Sequence, residues 1–125
     1  LNPDWIVEGG FDQSDGYAGM KKLYERGPLP QLLCTVSFAA ALGVLSAIHE
    51  LGLSIPHDID IISFGDSSYN SNIKPSLTAA HLDAKEIGRK AVDLLISQLT
   101  SSERPKEKII VPTHLVINDT GQGPS

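Results

Sequence analysis

Cysteine, long apolar runs and clusters of positive charge are all scarce in this sequence. Cys34 is the only cysteine among the 125 residues, so no disulfide can form within the chain. A single unpaired thiol is typical of a reducing compartment, and we expect a cytoplasmic protein. The longest apolar stretch is interrupted by Gly43, Ser46 and His49. Because a membrane-spanning helix needs roughly 20 consecutive apolar residues, the sequence predicts no membrane partner.

Positive charge is sparse as well as scattered. Ten Lys and Arg residues stand against fifteen Asp and Glu residues, which gives a formal net charge of −5. A module that grips a polyanion usually carries a basic face. We therefore expect nucleic acid to be contacted only through a neighbouring domain and not by these residues.

The sequence motifs of common catalytic centres are missing. His49-Glu50 has no second histidine four residues after the first, so the zinc-protease pattern fails. There is also no nucleophile elbow, phosphate loop or dinucleotide fingerprint. Cys34 lies in an apolar run, which favours a buried structural thiol over a nucleophile. The sequence therefore gives no positive argument for an enzyme and predicts no catalytic residue, metal or cofactor.

Apolar periodicity divides the chain into alternating strands and helices. Helical spacing and end signals predict one helix from Asp12 or Ser14 to about Arg26, and two more over residues 38–51 and 83–100. Short apolar runs predict strands over residues 5–8, 32–36, 59–64, 108–112 and 114–117, and residues 75–78 lead into another short extended piece. This alternation predicts an α/β fold with a parallel sheet flanked by helices. The tail over residues 121–125 is expected to be frayed.

The second predicted helix is apolar on every side, because residues 38–45 contain no polar side chain over two turns. Such a helix has to be covered all round. One interpretation is that a partner subunit or a missing part of the chain covers it. The other is that it is a central helix of a larger fold. Gly43 would let a neighbouring element approach closely, despite a helix cost of about 1 kcal/mol relative to Ala.

The third predicted helix has the clearest end signals in the chain. Asp83 as N-cap and Glu86 at the third helical position form a capping-box-like pair, and Leu82 with Ile87 has the spacing of a hydrophobic staple. Its apolar face consists of Ile87, Ala91, Leu94, Leu95 and Leu99. Burial of each larger aliphatic side chain would contribute roughly 1.5–3 kcal/mol.

Three predicted strand ends offer a candidate ligand site. In an open parallel sheet, ligands bind outside the carboxyl ends of the strands. The ends here are residues 9–11, 35–38 and 64–67, with the candidate contacts Phe11, Ser37, Phe38, Gly65 and Asp66. Aromatic rings beside a few hydrogen-bonding groups suit a sugar or another small polar ring compound. The alternative for Phe11 and Phe38 is that both are ordinary core residues.

Short motifs follow one another in a specific order between about residues 7 and 120. They are Leu29-Pro30, Ala41-Leu42-Gly43, Ala47-Ile48, Leu51-Gly52, Ile55-Pro56, Asp58-Ile59, Phe64-x-Asp66, Pro75-Ser76-Leu77-Thr78 and Gly88-x-x-Ala91. This order resembles the effector-binding domain of the lactose-repressor family of bacterial transcription regulators, which is related to periplasmic sugar-binding proteins. The resemblance implies a two-lobed, periplasmic-binding-protein-like sensor that holds a small-molecule effector between its lobes. It also implies a homodimer and an N-terminal helix-turn-helix headpiece, outside this sequence, that reads operator DNA.

The resemblance also divides the chain. Residues 1–80 correspond to much of the second lobe, residues 83–112 cross into the first lobe, and residues 113–125 return. Since the first residue is Leu1 and not Met, we expect the sequence to begin inside a longer protein. Together with the apolar second helix, the resemblance predicts a dimer interface at Leu42, Val44, Leu45, Tyr69 and Ile73.

Departures from the family pattern fall at the expected effector contacts. Ser37 and Gly65 stand where the family commonly has an Asn and an Asp that bond the effector, and Asn118 replaces a usual Arg, whereas Phe11 matches an aromatic stacking position. Hydrogen bonds to charged groups are worth roughly 1.5–3 kcal/mol each, so losing two would weaken a sugar roughly 10²–10⁴-fold. We therefore expect a more apolar ligand, or none. The expected function is effector sensing and dimerisation in a transcription regulator, and the alternative is a solute-binding protein for uptake or sensing.

Overall fold

The computed structural model of the chain describes residues 2–65, 68, 70–100 and 107–122. Within these residues the chain forms three α-helices, α1 (Gln13–Glu25), α2 (Phe38–Glu50) and α3 (Ala84–Thr100). Four strands are β1 (Leu32–Thr35), β2 (Asp60–Gly65), β3 (Thr78–His81) and β4 (His114–Val116), and short 3-10 turns occupy Pro3–Trp5 and Asn70–Asn72. None of the helices in this described part of the chain is both long enough and apolar enough to span a bilayer.

The four strands form one sheet in the order β1-β2-β3-β4. The first two pairings are parallel, with Leu33 opposite Ile61 and Ser63 opposite Ala79, while β4 runs antiparallel to β3. The predicted α/β fold with a parallel sheet flanked by helices is therefore confirmed, with one antiparallel strand added at the edge. All three predicted helices form within one or two residues of their predicted ends.

The core lies between the sheet and the pair α1 and α2, and it is built from residues that all carry apolar side chains. They are Met20, Leu23, Phe38, Ala41, Val44, Ala47, Ile48, Ile59, Ile61 and Leu77. Two glycines set the spacing of the helices. A Cβ at Gly16 would lie 1.9 Å from the carbonyl oxygen of Ala40, and one at Gly43 would lie 1.9 Å from that of Gln13. Hence α1 covers one side of the apolar helix and the sheet covers the other, as expected for a central helix.

Residues 5–8 are not the strand that their apolar character predicts. Trp5 ends a 3-10 turn, and its indole Nε1 donates to the carbonyl oxygen of Pro28 at 2.9 Å. The Arg26 guanidinium donates to the carbonyl oxygens of Asp4 at 3.1 Å and Ile6 at 2.8 Å. The bonds from Arg26 use backbone acceptors of this segment, and the segment lies beside β1 without joining the sheet.

Two further sequence expectations are wrong. Residues 108–112 form no strand, because Pro112 has no N–H to donate to a ladder, and Ile110 is largely exposed. Cys34 is exposed rather than buried. Leu32, two residues away on the same face of β1, is exposed as well, so this face of the strand is uncovered.

Helix α3 begins where its cap signals predict, but its apolar face is uncovered. The Asp83 carboxylate accepts from the backbone N–H of Glu86 at 2.8 Å, while the Glu86 carboxylate binds the Arg89 guanidinium at 2.7 and 2.9 Å. Within the described part of the chain no α3 residue is buried. A shallow groove of about 330 Å³ separates α3 from the segment that follows it, lined by Ile87, Lys90, Ala91, Leu94, Ile109 and Val111.

Residues 118–121 are fixed by polar contacts, whereas residues 123–125 of the tail expected to be frayed lie outside the described residues. Thr120 is fully buried, and its Oγ1 accepts from the backbone N–H of Thr78 at 2.8 Å. The Asp119 carboxylate accepts from both the backbone N–H and the hydroxyl of Ser76, at 2.9 and 2.6 Å. Gly121 adopts φ 75°, and its N–H donates to the Asp60 carboxylate at 2.8 Å. These contacts clamp residues 118–121 onto the start of β3.

Candidate functional site

The candidate site lies at the carboxyl ends of β1 and β2, where the structure brings four predicted residues together. The Ser37 hydroxyl donates to the carbonyl oxygen of Phe11 at 2.6 Å. A Cβ on Gly65 would lie 3.4 Å from the backbone nitrogen of Phe38 and 3.9 Å from its Cβ. Phe11, Ser37, Phe38 and Gly65 therefore share one edge of the sheet, although residues 9–11 reach it as a loop and not as a strand end.

Ser37 has a structural role at this edge. It is the N-cap of α2, and its Oγ accepts from the backbone N–H of Ala40 at 3.0 Å while its proton goes to Phe11. One hydroxyl thus satisfies a helix-end donor and pins the loop that carries Phe11. Its donor is committed to the protein, so it cannot also donate to a ligand.

The two aromatic residues at the edge differ sharply in exposure. Phe38 is 9% exposed and belongs to the core, so the ordinary-core interpretation holds for it. Phe11 is 70% exposed, which leaves its ring open to stack on a flat ligand. Two apolar side chains that sequence reasoning passed over, Val36 and Phe64, are also exposed at the ends of β1 and β2. The only signal for them was their position at a strand end.

At Gly65, where β2 ends, the site presents backbone atoms only and no side chain. Its φ of 128° lies in the region that favours glycine, and its carbonyl oxygen accepts from the N–H of Leu82 at 3.1 Å. A residue other than glycine would be strained by this backbone conformation, although its Cβ would make only ordinary van der Waals contact with Phe38. Asp66, the remaining predicted contact, lies outside the described residues.

A larger apolar groove runs along the outer side of β1. It has a volume of about 810 Å³ and lies between β1, residues 5–10 and α1. Leu32, Cys34 and Val36 contribute to its β1 wall, and Asp15 is the one carboxylate in its lining. The groove reaches the edge at Val36, although Phe11, Ser37, Phe38 and Gly65 do not line it, and its walls suit apolar rather than polyhydroxyl groups.

The ionisable groups with displaced pKa values lie away from this edge. Hydrogen bonds from Tyr17 and Lys21 lower the pKa of the Glu50 carboxyl, and the bond to Glu50 raises the pKa of the Tyr17 hydroxyl. Lys21 Nζ lies 2.9 Å from Glu50 Oε1. This trio joins α1 to α2 on an exposed surface and serves packing. Among the described residues, no group of three or more His, Cys, Asp or Glu side chains is placed to hold a metal ion.

The predicted dimer residues fall into three groups. Leu42, Leu45 and Ile73 are partly buried against the core and keep some surface. Val44 is only 4% exposed, because it packs inside the core of its own chain, and it can add little contact area to an interface. Tyr69 lies outside the described residues.

A parallel α/β layer with an open carboxyl edge is the architecture of a ligand-binding lobe. The family model for a periplasmic binding protein-like domain matches residues 2–120. The chain belongs to this family. Its resemblance to the effector-binding domain of lactose-repressor-family regulators is confirmed by its relatives.

Curated relatives include repressors that are much longer than this chain. The HTH-type transcriptional repressor PurR of Pasteurella multocida (strain Pm70) is 35% identical over 114 residues, which is 91% of this chain and 34% of that protein. PurR of Haemophilus influenzae (strain PittEE) is 36% identical over 103 residues, or 82% of this chain and 31% of that protein. The chain thus spans about a third of the length of these relatives.

Solved structures share the fold. A putative transcriptional regulator LacI from Bacillus cereus subsp. cytotoxis NVH 391-98 superposes with a TM-score of 0.91 at 24% identity, over 100% of this chain and 44% of that one. The transcriptional regulator CelR in complex with cellobiose gives 0.88 at 22% identity, over 97% of this chain and 37% of that one. A LacI family regulator from Enterococcus faecium with bound ribose gives 0.84 at 23% identity, over 95% of this chain and 43% of that one.

Proposed function

We propose that this chain is the effector-sensing part of a bacterial transcriptional regulator. A small molecule binds at the carboxyl edge of the sheet, and its binding controls operator DNA through a DNA-binding domain outside these residues. The observation that carries the proposal is the 35% identity to PurR repressors over 114 residues. With a net charge of −5, these residues are poorly suited to hold DNA themselves.

The effector is a flat and comparatively apolar molecule. Phe11 offers an open ring for stacking, whereas Ser37 spends its donor on Phe11 and Gly65 offers no side chain. The edge therefore lacks two of the polar contacts that would hold a polyhydroxyl compound, although cellobiose and ribose are bound by two of the structural neighbours. The apolar groove beside β1 supports the same choice of ligand.

The chain contributes to two lobes. Residues up to about 80 form much of one lobe, residues 83–112 cross into the other, and residues 113–122 return. The uncovered apolar face of α3 supports this division, because Leu95 and Leu99 are more than half exposed and need a partner surface. The clamp of residues 118–121 onto Ser76 and Thr78 supports the return to the first-named lobe.

The sensor works as a homodimer that passes lobe closure to the DNA-binding domain. Leu42, Leu45 and Ile73 supply the accessible apolar surface for this contact. Replacing Leu45 with Lys places a charge in that contact and is expected to shift the complete sensor toward monomer in sedimentation experiments. A complete wild-type sensor that sediments as a monomer at high concentration would contradict the proposed dimer.

The decisive experiment uses the full-length protein that carries these residues. Sequence-preferring DNA binding is measured with and without a panel of planar heterocycles, nucleosides and sugars. Phe11→Ala is expected to weaken the response to the active compound about two- to tenfold, since stacking is worth about 0.5–1.5 kcal/mol, while operator affinity without ligand stays unchanged. Tyr24→Ala, which removes an exposed aromatic ring on α1, is the matched control and leaves both affinities unaltered. A full-length protein without sequence-preferring DNA binding under any of these conditions would refute the regulator.

A further inference from the structure

Two histidines from distant parts of the sequence meet at one end of the sheet. The antiparallel register of β3 and β4 places His81 directly opposite His114. Their ring centroids are 5.8 Å apart, and the ring planes are inclined by 37°. This pair lies where the chain leaves β3 toward α3 and where it enters β4 again.

The separation of the rings suits a shared metal ion. A bound imidazole nitrogen lies about 2.0–2.1 Å from zinc, and the ring centre lies about 1.2 Å further out, so two rings on one ion have centroids about 5–6.5 Å apart for bond angles from tetrahedral to linear. The observed separation falls within that range. His114 is exposed and His81 is partly exposed, so an ion can reach the pair from solvent.

We propose that His81 and His114 form an open two-histidine site for a borderline transition-metal ion such as Cu²⁺ or Zn²⁺. Imidazole nitrogen is a preferred ligand of these ions and a poor ligand of Mg²⁺. Among the described residues, no third His, Cys, Asp or Glu joins the pair. Affinity follows the order Cu²⁺ above Ni²⁺ and Zn²⁺, and Mg²⁺ does not bind.

Such an ion would link β3 to β4 at the point where the chain leaves the sheet and returns to it. It joins the two ends of the loop that runs from residue 82 to residue 113. An ion that binds only the folded chain raises the free energy of unfolding with the logarithm of its concentration, once that concentration exceeds the Kd. This effect does not depend on the proposed regulator function.

The test is a metal titration of the full-length protein by calorimetry and by thermal melting, using CuCl₂, ZnCl₂ and MgCl₂ separately. The wild type is expected to bind one more Cu²⁺ or Zn²⁺ ion per chain than His114→Phe, with a rise in melting temperature that the variant loses. His114→Phe keeps an aromatic ring beside His81 but removes the metal-binding nitrogen. His57→Ala removes an exposed histidine elsewhere and is the matched control, with metal binding as in the wild type.

A second variant separates metal binding from folding. His114→Cys keeps a metal ligand and is expected to restore zinc binding to within tenfold of the wild type. Equal Cu²⁺ and Zn²⁺ stoichiometry and affinity in the wild type and His114→Phe would overturn the proposal, because the pair would then be only an aromatic contact. Absence of binding in the wild type would overturn it as well.

Discussion

The close packing of α1 on α2 yields a sharp prediction at Gly43. An alanine there would place its Cβ 1.9 Å from the carbonyl oxygen of Gln13 and 2.6 Å from the backbone nitrogen of Tyr17. Both neighbours are backbone atoms, so neither can turn aside as a flexible side chain would. Since ordinary contact begins near 3.4 Å, the two helices have to separate by more than an ångström.

The size of the effect follows from two opposing terms. Replacing a helical glycine with alanine gains about 1 kcal/mol of intrinsic helix stability. Overpacking a rigid contact costs typically about 1–3 kcal/mol, and more where backbones must move. Because the contact at Gly43 is so short, the steric cost wins. We expect Gly43→Ala to lower the free energy of unfolding by about 1–2 kcal/mol, and Gly16→Ala to do the same through Ala40.

Urea unfolding followed by circular dichroism measures this difference, with Gly88→Ala as the matched control. Gly88 also lies inside a helix, but nothing approaches its missing Cβ within 4 Å. Gly88→Ala is therefore expected to stabilise the protein by up to about 1 kcal/mol. If Gly43→Ala and Gly88→Ala change the free energy of unfolding in the same direction and by the same amount, then α1 and α2 are not in close backbone contact at Gly43.

Three further predictions concern buried or paired polar groups. The Ser63 hydroxyl is buried without a hydrogen-bond partner among the described residues. Ser63→Ala is therefore expected to leave the free energy of unfolding in urea unchanged or to raise it by about 1 kcal/mol. A clear loss of stability would reveal a partner. The Asn70 side chain binds the backbone N–H and carbonyl of Leu77, both at 2.7 Å, so Asn70→Ala should cost about 1–3 kcal/mol, and an unchanged midpoint would contradict this. Bonds from Ser76 hold the pKa of the Asp119 carboxyl below its usual range. The ionised Asp119 carboxylate therefore stabilises the fold fully above about pH 4, and this stabilisation is lost as the pH falls through the lowered folded-state pKa. Asp119→Asn should therefore reduce the loss of stability at acid pH. An unaltered loss in the variant would argue against the clamp.

Much of the local structure could be predicted because it depends on neighbours in sequence. The helix over residues 38–51 follows from an apolar run that Gly52 closes, and the structure gives Phe38–Glu50. Asp83 caps α3 because its carboxylate reaches an N–H only three residues away. Errors arose where remote groups competed. Residues 5–8 look like a strand, but Arg26 and Pro28 take up their polar atoms.

The candidate site shows the same division. The rule that parallel strands end at a common edge was enough to group Phe11, Ser37, Phe38 and Gly65. It could not distinguish their roles, because exposure depends on what packs above each residue. Phe38 is buried in the core, whereas Phe11 is exposed. The Ser37 hydroxyl caps α2 and donates to the carbonyl oxygen of Phe11, so it is already hydrogen-bonded within the protein.

The sequence by itself determined which surfaces of this protein have to be buried, where its helices begin and end, and which family it resembles. Only the tertiary structure decided what each surface packs against. It set Gly16 against Ala40 and Gly43 against Gln13, left the apolar face of α3 open, and set His81 beside His114 across 32 intervening residues. The physical reason is that hydrophobic burial is non-directional, so a sequence pattern fixes the need for a partner surface, while strand register and helix spacing fix its identity.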